Sequence, residues 1–168
     1  MTYFGVTFGA AWLALGVSGA SAAGICPVLT QLLADPPSGF IAQRGAAEEP
    51  QYWASKPFLA DGVCKMWVSR TAEAHNVRCV VNDAAAPVKV TAFYETTRRE
   101  IDACLAGLAE GGKFKREAGP VTTDRLKGAE TTWVFESDVR RFKIDLADYL
   151  RVVLGTSYNS FSVEYMKY

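Results

Sequence analysis

Four cysteines, Cys26, Cys64, Cys79 and Cys104, constrain this chain more than any other feature. They are too widely spaced for a Cys-x-x-Cys dithiol. A disulfide needs its two α-carbons within about 7 Å, so any bridge must bring distant segments together. Four cysteines admit three pairings. Whether they pair at all depends on the compartment, because cytosolic thiols stay reduced while exported ones oxidise.

The N-terminal segment points to export. Phe4 to Val17 (FGVTFGAAWLALGV) is an uncharged apolar run followed by the small residues Ser18 to Gly24, the order of a cleavable signal peptide. Residues 1–22 are therefore assigned to the signal. The small-x-small site Ala20-Ser21-Ala22 predicts Ala23 as the mature N-terminus, with cleavage after Ala23 as the near alternative. The first Lys or Arg of the sequence is Arg44, so only the α-amino group supplies positive charge ahead of the run; a start codon placed too far downstream accounts for this. The rival reading makes Met1 to Gly24 a buried helix. A lipid anchor on Cys26 is disfavoured by Ile25, where lipidation sites carry a small residue. The run is shorter than the roughly 20 residues of a membrane-spanning helix and no second one follows, which predicts no stable membrane span.

Residues 23–168 then form a single domain, large enough at about 146 residues to bury a core. Val28, Leu29, Leu32 and Leu33 fall at helical spacing behind Pro27, and Asp35 to Gly39 stops that helix. Phe40 to Gln43 reads as a first short strand and Gly45 to Leu59 as a long loop. Gly62 to Ser69 and Asn76 to Val81 read as strands joined by a polar turn, Arg70 to His75. The clearest helix runs from Val90, with Phe93, Tyr94, Thr97, Ile101, Cys104, Leu105 and Leu108 on one face, and ends at Gly111-Gly112. Four strand-like runs follow: Lys113 to Glu117, Glu130 to Glu136, Arg141 to Leu146 and Asn159 to Tyr168. Asp124 to Gly128 and Ser137-Asp138 serve as turns, and Ala147 to Leu154 is ambiguous between strand and helix. The expected fold is thus α+β: helix, three strands, helix and about four strands, with both helices on one face of an antiparallel sheet. In that arrangement Cys64 faces Cys79 across a strand pair, and Cys26 meets Cys104 between the helices. The second bridge closes a loop of roughly 80 residues, worth on the order of 4 kcal/mol in chain entropy.

Motifs of catalysis are missing. His75 is the sole histidine, and as a turn residue without an orienting partner it is expected to be dispensable. No nucleophile elbow, phosphate-binding glycine loop or metal-binding histidine helix occurs, so no catalytic, cofactor or metal residue is assigned. Eighteen Lys and Arg balance eighteen Asp and Glu, leaving no global field for nucleic acid or anionic lipid. KFKRE (Lys113 to Glu117) and VRRFK (Val139 to Lys143) read as solvated strand faces. Carboxylates that meet only in three dimensions escape this inspection.

The notable residues that remain are aromatic. Tyr52 and Trp53 either cap the core edge or anchor a protein partner. The C-terminal run buries Phe161, Val163 and Tyr165 by alternation, and as the last strand it is expected at a sheet edge, where Met166 and Tyr168 would join the candidate partner surface. These features suggest an exported, non-enzymatic binding module, for example an inhibitor, immunity protein or envelope-assembly accessory, whose partner is another protein of the cell envelope or exterior. An envelope hydrolase using Asp and Glu residues assembled by folding, and a small-ligand carrier, are the alternatives. Mass spectrometry of the exported form should find an N-terminus at Ala23 or Gly24; retention of Met1 would refute the signal assignment.

Overall fold

The computed structural model describes residues 24–34, 40, 44–49, 51–55, 59, 62–68, 74–108 and 111–168. The signal segment, the 35–39 helix stop, residues 41–43 of the first expected strand and most of the 70–75 turn lie outside them. Helix α1 (Ile25–Ala34) precedes strands β1 (Arg44–Glu49), β2 (Tyr52–Ser55), β3 (Val63–Val68) and β4 (Ala74–Ala85). Helix α2 (Pro87–Gly107) and one 3-10 turn (Gly111–Lys113) lead to β5 (Lys115–Thr122), β6 (Leu126–Glu136), β7 (Arg140–Arg151) and β8 (Thr156–Lys167).

All eight strands form one antiparallel sheet in the order β1-β2-β3-β4-β8-β7-β6-β5. This corrects the expected three-plus-four arrangement. The Gly45–Leu59 loop is instead largely a hairpin, β1 against β2, with Gln51 at positive φ in its turn. Arg44 to Glu49 carries no apolar alternation because an outermost strand needs only backbone pairing on one side. His75 is likewise no turn residue: it sits in β4 opposite Val68 and Tyr165, half-buried, with its ring stacked on Tyr165 at 6.2 Å. The ambiguous Ala147–Leu154 stretch continues β7 to Arg151 and then turns through Val152 to Gly155, whose φ of 65° suits glycine.

The correction with most consequence concerns β8. It lies between β4 and β7, bonded on both sides, and so offers no free edge. Position in the chain says nothing about position in a sheet; a last strand can fill the centre when earlier strands leave a gap. The outer strands are β1 and β5.

The core follows from strand alternation. Met66, Val77, Val163, Ile144 and Trp133 stand in one row across five strands. Cys64, Cys79, Phe161, Leu146 and Thr131 form the next. Val28, Leu29 and Leu32 of α1 and Tyr94, Ile101 and Leu105 of α2 cover this face. Polar bonds fix the seating of α2: Trp133 Nε1 donates to Asp102 Oδ1 at 2.8 Å, Asn159 Nδ2 donates to the Val90 carbonyl at 2.9 Å, and the Tyr94 and Thr131 hydroxyls lie 2.7 Å apart. Disulfides join Cys26 to Cys104, tying α1 to α2 with α-carbons 5.3 Å apart, and Cys64 to Cys79 across β3 and β4.

Because Phe161, Val163 and Tyr165 are buried at the sheet centre, each contributes roughly 1.5–3 kcal/mol against a total stability of about 5–15 kcal/mol. Deletion of Phe161 to Tyr168 should abolish the cooperative thermal transition of the oxidised protein in circular dichroism. Phe161→Ala should lower stability by about 3–5 kcal/mol. An unchanged transition on deletion would contradict the central placement of β8.

Candidate functional site

The two helices occupy one face of the sheet, so the other face presents its alternate side chains to solvent. There the rows read Trp67, Asn76, Glu164, Lys143 and Lys65, Arg78, Ser162, Asp145, Thr132 across neighbouring strands. Small residues at the centre, Ala147, Ser160 and Ser162, leave a recess of about 370 Å³ walled by Trp67, Arg78, Arg141 and Tyr149. A second recess of about 630 Å³ adjoins it toward β2 and shares Trp67 and Arg78; Tyr52, Val63, Lys65, Val80, Arg151 and Tyr158 complete its lining. On the helical side, a further recess of about 470 Å³ is bounded by Ile25, Leu59 and Phe93.

The first recess gathers three carboxylates, Glu130, Asp145 and Glu164, that no local spacing in the sequence joins. Two of them are engaged internally. Tyr149 Oη donates to Glu130 Oε2 at 2.7 Å. Asp145 accepts from Thr132 Oγ1 at 2.8 Å and pairs with Lys143 Nζ at 3.0 Å. Burial, and then the hydrogen bond to Glu130, push the Tyr149 phenol well above its ordinary value, so it stays a neutral donor throughout the physiological range. These contacts organise the recess.

Arg78 stands where the two recesses meet. Its Nε donates to Ser160 Oγ at 3.0 Å while the side chain remains exposed. One edge of the guanidinium is thereby fixed while the side chain stays accessible, an arrangement suited to an anionic group. Aromatic surface lies alongside: the Arg151 guanidinium covers the Tyr158 ring at 4.2 Å and pairs with Asp83, and Tyr158 packs on Tyr149 at 5.4 Å. The Nε of Arg141, in the first recess, is buried with no hydrogen-bond partner among the described residues.

The four residues expected as a partner surface are not brought together. Tyr52 is exposed on the open face and lines the second recess. Its neighbour Trp53 points to the helical face, packs on the core and carries the Arg44 guanidinium over its ring at 4.3 Å. Met166 is half-buried opposite Arg141, and exposed Tyr168 donates to Glu136 Oε1 at 2.6 Å. Three strand spacings, about 14 Å, separate β2 from β8. Trp67 and Arg78 were passed over at the level of sequence; the alternation of buried and accessible positions in β3 and β4 is the signal that puts them on the open face.

Two disulfides, and the lack among the described residues of a helix long and apolar enough to cross a membrane, are compatible with an exported or extracellular protein.

A raised tyrosine pKa fixes the sign of a pH effect. In the unfolded chain Tyr149 loses its proton near pH 10, whereas the folded protein retains it. Its contribution is therefore complete below pH 10 and is lost as pH rises beyond that value. The stability advantage of the native protein over Tyr149→Phe should shrink above about pH 10 in urea titrations; a gap that widens there would contradict the Tyr149–Glu130 geometry. No protein-family model, curated protein or solved structure matches the chain, so this geometry carries the functional argument.

Proposed function

We propose that the protein is an exported, non-enzymatic binding module that takes a protein partner on the open face of its sheet. The observation that carries this reading is the gathering of Tyr52, Trp67 and Tyr158 with Arg78 and Arg151 around one recess. Tyrosine, tryptophan and arginine are the residue types that dominate protein-binding hot spots, because each offers large apolar area with a polar end at modest entropic cost. The tethered Arg78 supplies a fixed cation for a partner carboxylate at the recess centre, and the paired charges of the neighbouring recess form a polar rim. The two disulfides support the same reading, since a stapled scaffold presents such a face with little loss of conformational freedom on binding.

One observation favours a second reading. Glu130, Asp145 and Glu164 line a common recess, which is what a hydrolase using paired carboxylates requires. Against it, Glu130 and Asp145 are already committed to Tyr149, Thr132 and Lys143.

Capture from cell-envelope extract on the oxidised protein separates the two. Tyr52→Glu and Arg78→Glu, both exposed positions, should abolish capture of a specific protein while leaving the thermal transition in place, and Glu130→Gln with Asp145→Asn should retain it. Equal capture by the Tyr52→Glu and Arg78→Glu variants would overturn the proposal.

A further inference from the structure

Most polar side chains of the first recess are already engaged with one another. Arg78 is tied to Ser160, Glu130 to Tyr149, and Asp145 to Thr132, Lys143 and, at 3.4 Å, Ser162. Asn76, Glu164 and Arg141 line the same recess but differ. Among the described residues none of them makes a side-chain hydrogen bond or an ion pair. All are half-buried, and the Arg141 Nε is itself shielded from solvent. Partly desolvated polar groups are ordinarily paired within a protein, so an open cluster of them is a binding capacity that the fold does not use.

The cluster is contiguous. Asn76 stands directly opposite Glu164 across the β4–β8 ladder, which puts their β-carbons about 5 Å apart. Glu164 stands opposite Lys143, and Arg141 lies two residues from Lys143 on the same side of β7. Trp67 is opposite Asn76 on the other flank, so the row runs Trp67, Asn76, Glu164 from β3 to β8. The recess thus offers an amide that donates and accepts, a carboxylate that accepts and a guanidinium that donates, all beside an indole ring.

The balance of the lining selects the ligand. Glu130, Asp145 and Glu164 face Arg78, Arg141 and Lys143, so neither an anion nor a cation meets a field of one sign. Serine hydroxyls and charged walls make the recess too polar for an apolar ligand. A neutral polyhydroxylated ring fits both conditions. Each hydroxyl donates and accepts as water does, two adjacent ones can span Asn76 and Glu164, and the Trp67 ring offers an apolar plane to the C–H face of the sugar. The volume of about 370 Å³ lies in the range of small-molecule sites.

We infer that the first recess is a saccharide site, in which a pyranose ring packs on Trp67 and its hydroxyls bond Asn76, Glu164 and Arg141. The inference goes beyond the partner reading, which rests on the adjoining recess around Tyr52, Arg151 and Tyr158.

NMR titration of the isotope-labelled, oxidised protein with maltotriose, cellotriose, chitotriose and mannotriose tests it. At least one of these neutral sugars should shift the Trp67 indole N–H and the Asn76 side-chain amide saturably, with a dissociation constant of about 1 mM or tighter. Asn76→Ala and Glu164→Gln should each weaken binding about tenfold, the cost of leaving a hydroxyl without its partner. Trp67→Ala should remove it, with the thermal transition kept in every variant. Tyr52 does not line this recess, so Tyr52→Glu should bind sugar unchanged while losing the protein partner, and failure of either reading leaves the other standing. Saturable shifts with none of these sugars would overturn the inference. So would binding that leaves the Trp67 and Asn76 signals unmoved, or binding of equal affinity in the Asn76→Ala, Glu164→Gln protein.

Discussion

The pairing of β4 with β8 is the contact on which the rest of the structure depends. It joins Ala74–Ala85 to Thr156–Lys167, segments separated by the whole of α2 and three strands. Closing so long a loop costs entropy that must be recovered from contacts made at the same moment. The buried rows supply them, because Val77 meets Val163 and Cys79 meets Phe161 at the centre of the sheet. The Cys64–Cys79 bond holds β3 against the other side of β4. Once β8 is seated, α2 has its floor: Asn159 bonds the Val90 carbonyl, and Trp133 and Thr131 reach Asp102 and Tyr94.

Around that pairing the chain repeats its own topology. Each helix is followed by four strands, and the last strands of the two sets meet in the middle of the sheet. No residue-level repeat in the sequence accompanies this doubling of elements. The structure shows why none is needed: each unit has one apolar helix stripe to cover and one strand row to bury, and different apolar residues meet that requirement equally well. Both helices fall on one side. The opposite face, spanning strands from both units, is left to solvent.

That open face is where tertiary placement creates chemistry. Glu130 and Asp145 lie on adjacent strands and are brought to either side of Thr132, while Arg78 from the first unit reaches Ser160 from the second. Both recesses straddle the two units and need the central pairing to exist. Their charges are mostly satisfied within the sheet, which keeps the face ordered and leaves the exposed Arg78 and the aromatic residues beside it to meet a partner.

Local physics was enough for much of the architecture. Helical spacing around Tyr94, Ile101 and Leu105, two-residue alternation in Phe142, Ile144, Leu146 and Phe161, Val163, Tyr165, and the even cysteine count depend on neighbours along the chain, so the residues alone settled an α+β domain with one wet sheet face. They misjudged segments that lack such periodicity: β1 is held by a neighbouring strand, and His75 by Val68 and Tyr165. The place of β8 in the sheet, and the meeting of Arg78 with Ser160, Tyr149 with Glu130 and Trp67 with Tyr52, could come only from the tertiary structure. A strand's own pattern specifies which side it buries but not which strands it lies between, and that choice is made by the cooperative burial of rows assembled from distant parts of the chain.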